Sequence, residues 1–89
     1  MPYFVYILIS NKDKKLYVGC SIDLEKRLER HNSGAVTATR NRRPLELIYS
    51  EKFEDKTEAF KRERFLKSLW GARFKRKILS EYKQSRANQ

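Results

Sequence analysis

Apolar residues along the chain cluster into three β-type runs and three helical ones. Residues 3–10, YFVYILIS, and 15–20, KLYVGC, are rich in β-branched and aromatic residues and flank a polar NKDK, as the strands of a hairpin do. In SIDLEKRLERHNSG, Leu24 and Leu28 are spaced one helical turn apart, Ser21 or Asp23 can cap the start, and Gly34 is a stop. Residues 35–43, AVTATRNRR, lack apolar periodicity and read as a basic loop. PLELIYSEKF predicts a third strand with Pro44 at its start, where a missing N–H is tolerated. DKTE predicts a capping box, Asp55 with Glu58, opening a helix that runs to about Trp70. After Gly71, ARFKRKILSEYK predicts a last helix and QSRANQ a frayed tail. The expected order is β-β-α-β-α-α: an α+β domain over residues 1–84, with a three-stranded antiparallel or mixed sheet under packed helices and a flexible tail over 85–89.

Parity in the hairpin carries a further consequence. A two-residue turn sets Tyr6 directly opposite Tyr17, and a four-residue loop makes them diagonal neighbours. In either case both phenols share one face of the sheet, and only an odd loop or a bulge separates them. Such a pair can serve sheet packing alone. Gly19 follows Tyr17 on that face and leaves room for a backbone or a ligand to approach.

The chain has 89 residues, and a domain of this size buries only about 60–65% of its unfolded surface. Five Tyr, five Phe and one Trp are available to build the small core. No apolar run is long enough for a membrane span, and no signal peptide is evident. Cys20 is the lone cysteine, so an internal disulfide and a cysteine-rich zinc site are both excluded and a cytoplasmic location is expected. Lys and Arg number 21 against 11 Asp and Glu, a formal charge of +10, which favours a polyanionic partner such as nucleic acid.

Three charged or titratable positions stand out. Arg27 and the only histidine, His31, are one turn apart and flank the Leu24/Leu28 stripe, near the edge of a buried face. Arg binds phosphate bidentately, and His titrates near neutrality, although a solvated Arg and a helix-terminal His would look the same. On a helical wheel, Ala59, Phe60, Phe65, Leu66, Leu69 and Trp70 form a broad apolar arc. Glu63 falls inside it, as do the long-stemmed Arg62 and Lys67. A carboxylate there needs a metal or a partner, and Lys67 at i,i+4 is one candidate partner.

Read together, FVY at residues 4–6, YVG at 17–19, LEKRLERHNSG and TEAFKRERFLK resemble the GIY-YIG endonuclease superfamily over residues 3 to about 80, most closely its small stand-alone members. Phe4 replaces the usual glycine, and Val5 and Val18 the usual isoleucines, without touching reactive groups. The resemblance implies a metal-dependent DNA endonuclease hydrolysing phosphodiester bonds. Catalytic roles fall to Tyr6, Tyr17, Arg27, His31 and Glu63, and Glu63 holds a single Mg²⁺ or Mn²⁺. Arg27 would stabilise charge on the phosphate and Tyr6 would act as base with Tyr17 orienting, His31 being the alternative base; two adjacent phenols near Arg27 are expected to lower one phenol's pKa. Gly19, Arg40, Arg42, Arg43, Lys67, Arg73 and Lys75 are the expected DNA contacts, and a repair complex or larger assembly is the partner setting that the resemblance implies. The competing readings are a nucleic-acid-binding module without turnover and a small basic accessory protein.

Overall fold

The structure, a computed structural model, describes residues 1–87. Three strands, β1 (Tyr3–Ser10), β2 (Leu16–Ser21) and β3 (Leu45–Phe53), form one sheet in the order β2-β1-β3, with both pairings antiparallel. Helix α1 (Leu24–Ser33) covers one face. Helices α2 (Lys56–Lys67) and α3 (Ala72–Ala87) cover the other. The expected β-β-α-β-α-α order holds, and the sheet is wholly antiparallel.

Central placement explains the composition of β1. Val5 to Ser10 are all buried, because each side chain meets a helix layer whichever way it points. Val5 and Ile7 join Val18, Ala59, Leu66 and Ile78 in the core under α2 and α3. Tyr6 and Leu8 join Leu45 on the opposite face, against Leu24 and Leu28 of α1. Truncating the fully buried Leu66 to Ala would cost about 2–5 kcal/mol.

In β3 the apolar parity changes midway. Ile7 pairs with Tyr49 but Leu8 with Leu47, so a bulge at Ile48 shifts the register. Leu45 and Leu47 thereby face α1, while Tyr49 and Phe53 face α2 and α3.

The hairpin adopts the four-residue alternative. Ser10 and Lys15 close the loop through a 3.0 Å backbone bond, and Lys14 takes a left-handed φ of 62°. The Ser10 hydroxyl accepts from the Lys12 and Asp13 N–H groups and donates to the Arg42 carbonyl at 2.6 Å.

Asp23, not Ser21, caps α1, accepting from the Lys26 N–H, and Gly34 ends it at φ 87°. Asp55 caps α2 through the Thr57 N–H, but Glu58 pairs with Lys61 rather than reaching back. Helix α2 stops at Lys67, three residues earlier than its apolar spacing predicts, and a short 3-10 turn over Leu69–Gly71 leads into α3. Helix α3 continues to Ala87 through residues expected to fray, and residues 88 and 89 of the expected tail lie outside the described residues. No helix among the described residues is long and apolar enough to cross a membrane.

Candidate active site

The four-residue loop sets Tyr6 opposite Gly19 and Leu8 opposite Tyr17. The two phenols are thus diagonal neighbours on the α1 face, as parity requires. The room at Gly19 is taken by neither ligand nor foreign backbone: a Cβ there would run into the Tyr6 Oη and Cζ. Gly19 is buried and lets the Tyr6 ring lie across the strand.

A polar chain runs from this phenol into the protein. Arg27 Nε donates to Tyr6 Oη at 3.3 Å, and Tyr6 Oη lies 3.0 Å from His31 Nε2. His31 Nδ1 lies 2.7 Å from Thr39 Oγ1. With Arg27 supplying one hydrogen to the phenol oxygen, the arrangement that gives the Tyr6 hydroxyl hydrogen an acceptor has Tyr6 donating to Nε2 and Nδ1–H donating to Thr39. His31 sits edge-on to both phenols, 5.9 Å from the Tyr6 ring centre and 5.0 Å from that of Tyr17. No described buried polar side-chain atom lacks a partner.

Two expectations change here. His31 is not at the edge of the buried face but fully within it, as is Thr39. Burial first, then the Arg27 charge, lowers the imidazole to about 4, so the ring is neutral at physiological pH and is no partner for a helix dipole. The Tyr6 phenol, in contrast, is not lowered as expected. Its burial raises it above the ordinary value, outweighing the hydrogen bond and charge of Arg27. The neighbouring Tyr17 adds to the rise, since two phenolates would repel.

Glu63 approaches from the opposite layer. Its charge acts on Tyr6 and Arg27, and with burial it pushes up the Cys20 thiol, which points toward α2 from the residue after Gly19. Tyr6, Arg27 and His31 lie on the α1 side of the sheet and Glu63 on the α2 side, with β2 at Gly19 and Cys20 between them. The Glu63 side chain is 21% exposed and pairs with Lys67 at 3.0 Å, so the intrahelical ion pair exists. It also borders an open groove with Phe60 and Arg64. No cluster of three His, Cys, Asp or Glu side chains occurs among the described residues. One accessible carboxylate without such a cluster fits a hydrated Mg²⁺, which takes few protein ligands and completes its shell with water and phosphate oxygens.

The expected basic contacts divide by what already holds them. Arg42 pairs with Asp13 at 2.8 Å and pulls that carboxyl down to about 2, and so braces the hairpin turn. Arg40 and Arg43 spend their Nε groups on the Gly34 and Arg40 carbonyls while remaining exposed. Lys67 is engaged by Glu63, Arg73 is exposed and Lys75 half-buried. Sequence reasoning missed Thr39. A threonine eight residues beyond a histidine carries no signal until the loop folds back.

Arg62 and Glu51 form a separate pair, bidentate at 2.8 and 3.1 Å. The guanidinium packs over Phe74, and Tyr49 donates to Glu51. Burial and that hydrogen bond push Tyr49 up to about 12, marking it as a structural phenol.

A hairpin carrying two phenols, an Arg-His helix behind it and a glutamate on the far helix define the nuclease-domain class to which the motifs pointed. The family model described as the GIY-YIG catalytic domain matches residues 2–77, and the chain belongs to that family. Among its relatives, the UPF0213 protein of Staphylococcus saprophyticus is 41% identical over 80 residues, covering 89% of this chain and 95% of that one. The UPF0213 protein of Clostridium perfringens is 48% identical over 67 residues, covering 74% and 71%. The solution NMR structure of the UPF0213 protein of Bacillus halodurans superposes with a TM-score of 0.55 at 36% identity, covering 90% of this chain and 84% of that one.

Proposed function

We propose that the chain is a metal-dependent endonuclease that hydrolyses DNA phosphodiester bonds, its centre formed by Tyr6, Arg27, His31 and Glu63. The observation that carries this reading is the run of contacts Arg27–Tyr6–His31–Thr39, closed at one end by a cation and at the other by a buried hydroxyl. Packing alone does not call for an arginine holding a fully buried phenol–imidazole pair on a protein this small.

Glu63 would hold the divalent ion, which supplies charge neutralisation at the leaving oxygen. Arg27 is placed to steady the phosphate while holding Tyr6. Tyr6 Oη is the atom that would take a proton from the attacking water, as its own proton passes to His31 Nε2. With Nδ1–H donating to Thr39, Nε2 would be free to accept that proton. Tyr17 flanks His31 and would help position water or phosphate. The reading combines the two candidate bases, with Tyr6 as conduit and His31 as the end of the relay. A cytoplasmic setting and a task in DNA repair or processing belong to the same proposal, supported by the lone cysteine and the family.

The test is nicking of supercoiled plasmid with Mg²⁺ or Mn²⁺ and without either, beside Glu63→Ala and Tyr6→Phe. Metal-dependent nicking lost in both variants is expected. Glu63→Ala should keep its fold, because an i,i+4 ion pair stabilises a helix by only about 0.2–0.5 kcal/mol. Absence of nicking on any DNA form, with salt-sensitive binding retained, would leave a binding module in its place.

A further inference from the structure

Apart from the terminal Met1, the turn between α2 and α3 presents the two most exposed large apolar side chains among the described residues. Leu69 is 92% exposed and Trp70 83%, against the core role that their helical spacing predicts. The turn is built to hold them outward. Ser68 closes it with both its N–H and its hydroxyl on the Phe65 carbonyl, at 3.1 and 2.6 Å. Gly71 is buried so tightly that a Cβ would meet the Phe65 carbonyl oxygen and lie 2.6 Å from Leu66 Cα. Leu66 itself is fully buried, so the turn is anchored to the core.

The chemistry around the pair is cationic. Arg73 follows three residues after Trp70, and Lys67 precedes it by three. Lys67 is also the ion-pair partner of Glu63, which links the turn to the candidate metal ligand. Exposed apolar side chains on an anchored turn, bordered by cations, match an unpaired base beside its phosphates: the ring stacks on the base and the cations meet the backbone. A paired duplex offers its phosphates but hides the base faces.

We propose that Leu69 and Trp70 form a stacking wedge for an unpaired DNA base next to the cleavage centre, so that the substrate class is DNA with single-stranded or branched character. The inference rests on DNA as the partner, but its readout is binding, independent of turnover.

Trp70 is the only tryptophan, so its fluorescence reports on this turn alone. Titration of the full chain with a single-stranded oligonucleotide should quench the emission, and a perfectly paired duplex of equal length should quench it much less. By anisotropy of labelled DNA, Trp70→Ala should lose about tenfold affinity for the single strand and for a flapped duplex, and under threefold for the plain duplex. Trp70→Phe should recover most of the loss. Circular dichroism should show both variants folded, since the side chain is not in the core. Equal losses on paired and unpaired DNA would overturn the wedge, as would an unquenched tryptophan. So would a DNA-free protein that is dimeric through this turn, or a tryptophan that responds to anionic vesicles but not to DNA. Plasmid nicking by a protein lacking base-selective binding would sink the wedge and leave the nuclease; base-selective binding without nicking would do the reverse.

Discussion

Tyr6 faces Gly19 across the antiparallel pair, and the phenol crosses the strand where any other residue would carry a side chain. The glycine of the second half-motif is thereby explained by the tyrosine of the first. Ring and gap are one device, which turns the hydroxyl toward Arg27 and His31.

Gly19→Ala is accordingly expected to destabilise the fold by about 1–3 kcal/mol, from overpacking. For a domain of this size that lowers the thermal midpoint by roughly 4–8 °C per kcal/mol. In a Tyr6→Leu background, where the ring is gone, the same alanine should cost much less. A double-mutant cycle on thermal midpoints measures the coupling, and additive losses would refute it.

The pH dependence of nicking separates the two ways of removing a proton from water. Burial holds the Tyr6 phenol above its ordinary value, and His31 lies near 4. If the relay ends on His31, single-turnover rates should be flat from about pH 6 to 9 and fall only as His31 protonates below about 5. A log-linear rise continuing to pH 10 would instead identify a free tyrosinate as the base.

His31 also makes stability pH-dependent. Its folded value is depressed from 6.5 to about 4, so the unfolded chain binds the proton first as pH falls. The stability held by the neutral ring is therefore whole above about pH 6.5 and is lost on the way down to about 4, by an amount on the order of 1–3 kcal/mol. Urea midpoints at pH 7.5 and 5 should differ more for the native chain than for His31→Gln. An equal difference in both would remove His31 as the cause.

Salt dependence should sort the cations. If Arg73 and Lys75 contact phosphates, replacing either with alanine should lower the slope of log affinity against log salt by about one. Arg42→Ala should leave the slope nearly unchanged and loosen the hairpin turn instead, because its guanidinium is committed to Asp13. A full unit lost on replacing Arg42 would reassign it to DNA.

Much of this architecture is legible in local patterns. The strands, the Asp55 cap, the Gly34 stop and the shared face of Tyr6 and Tyr17 follow from residue chemistry, periodicity and parity, whereas the choice of Asp23 over Ser21 as the α1 cap does not. What local patterns leave open is set by contacts distant in sequence. The choice between two hairpin registers falls to the turn, where Ser10 is held by Arg42. Helix α2 ends before Leu69 because Ser68 and Gly71 fold the chain back on Phe65, which no wheel of apolar positions registers. Burial of His31 depends on Thr39, brought to it by a loop without periodicity. The raised phenol follows from the same burial, which outweighs the nearby cation on which a lowered value was expected.

That loop closes on itself in a way that bears on binding. Asn32 Oδ1 accepts from the Leu45 N–H at 2.7 Å and its Nδ2 donates to the Leu45 carbonyl at 2.9 Å, so one side chain joins the end of α1 to the start of β3. Residues 33–44 thus form a ring cinched at its neck. The Thr39 bond to His31 pins its middle, and the Arg42 carbonyl is held by Ser10. Most of the conformational freedom of the segment is surrendered when the chain folds rather than when a ligand arrives. Arg40 and Arg43 then extend from a frame already in place, each with its Nε tied back to a backbone carbonyl and the Arg43 guanidinium lying over Gly34. A basic segment that looks like a loose arm in the sequence is instead a rigid collar.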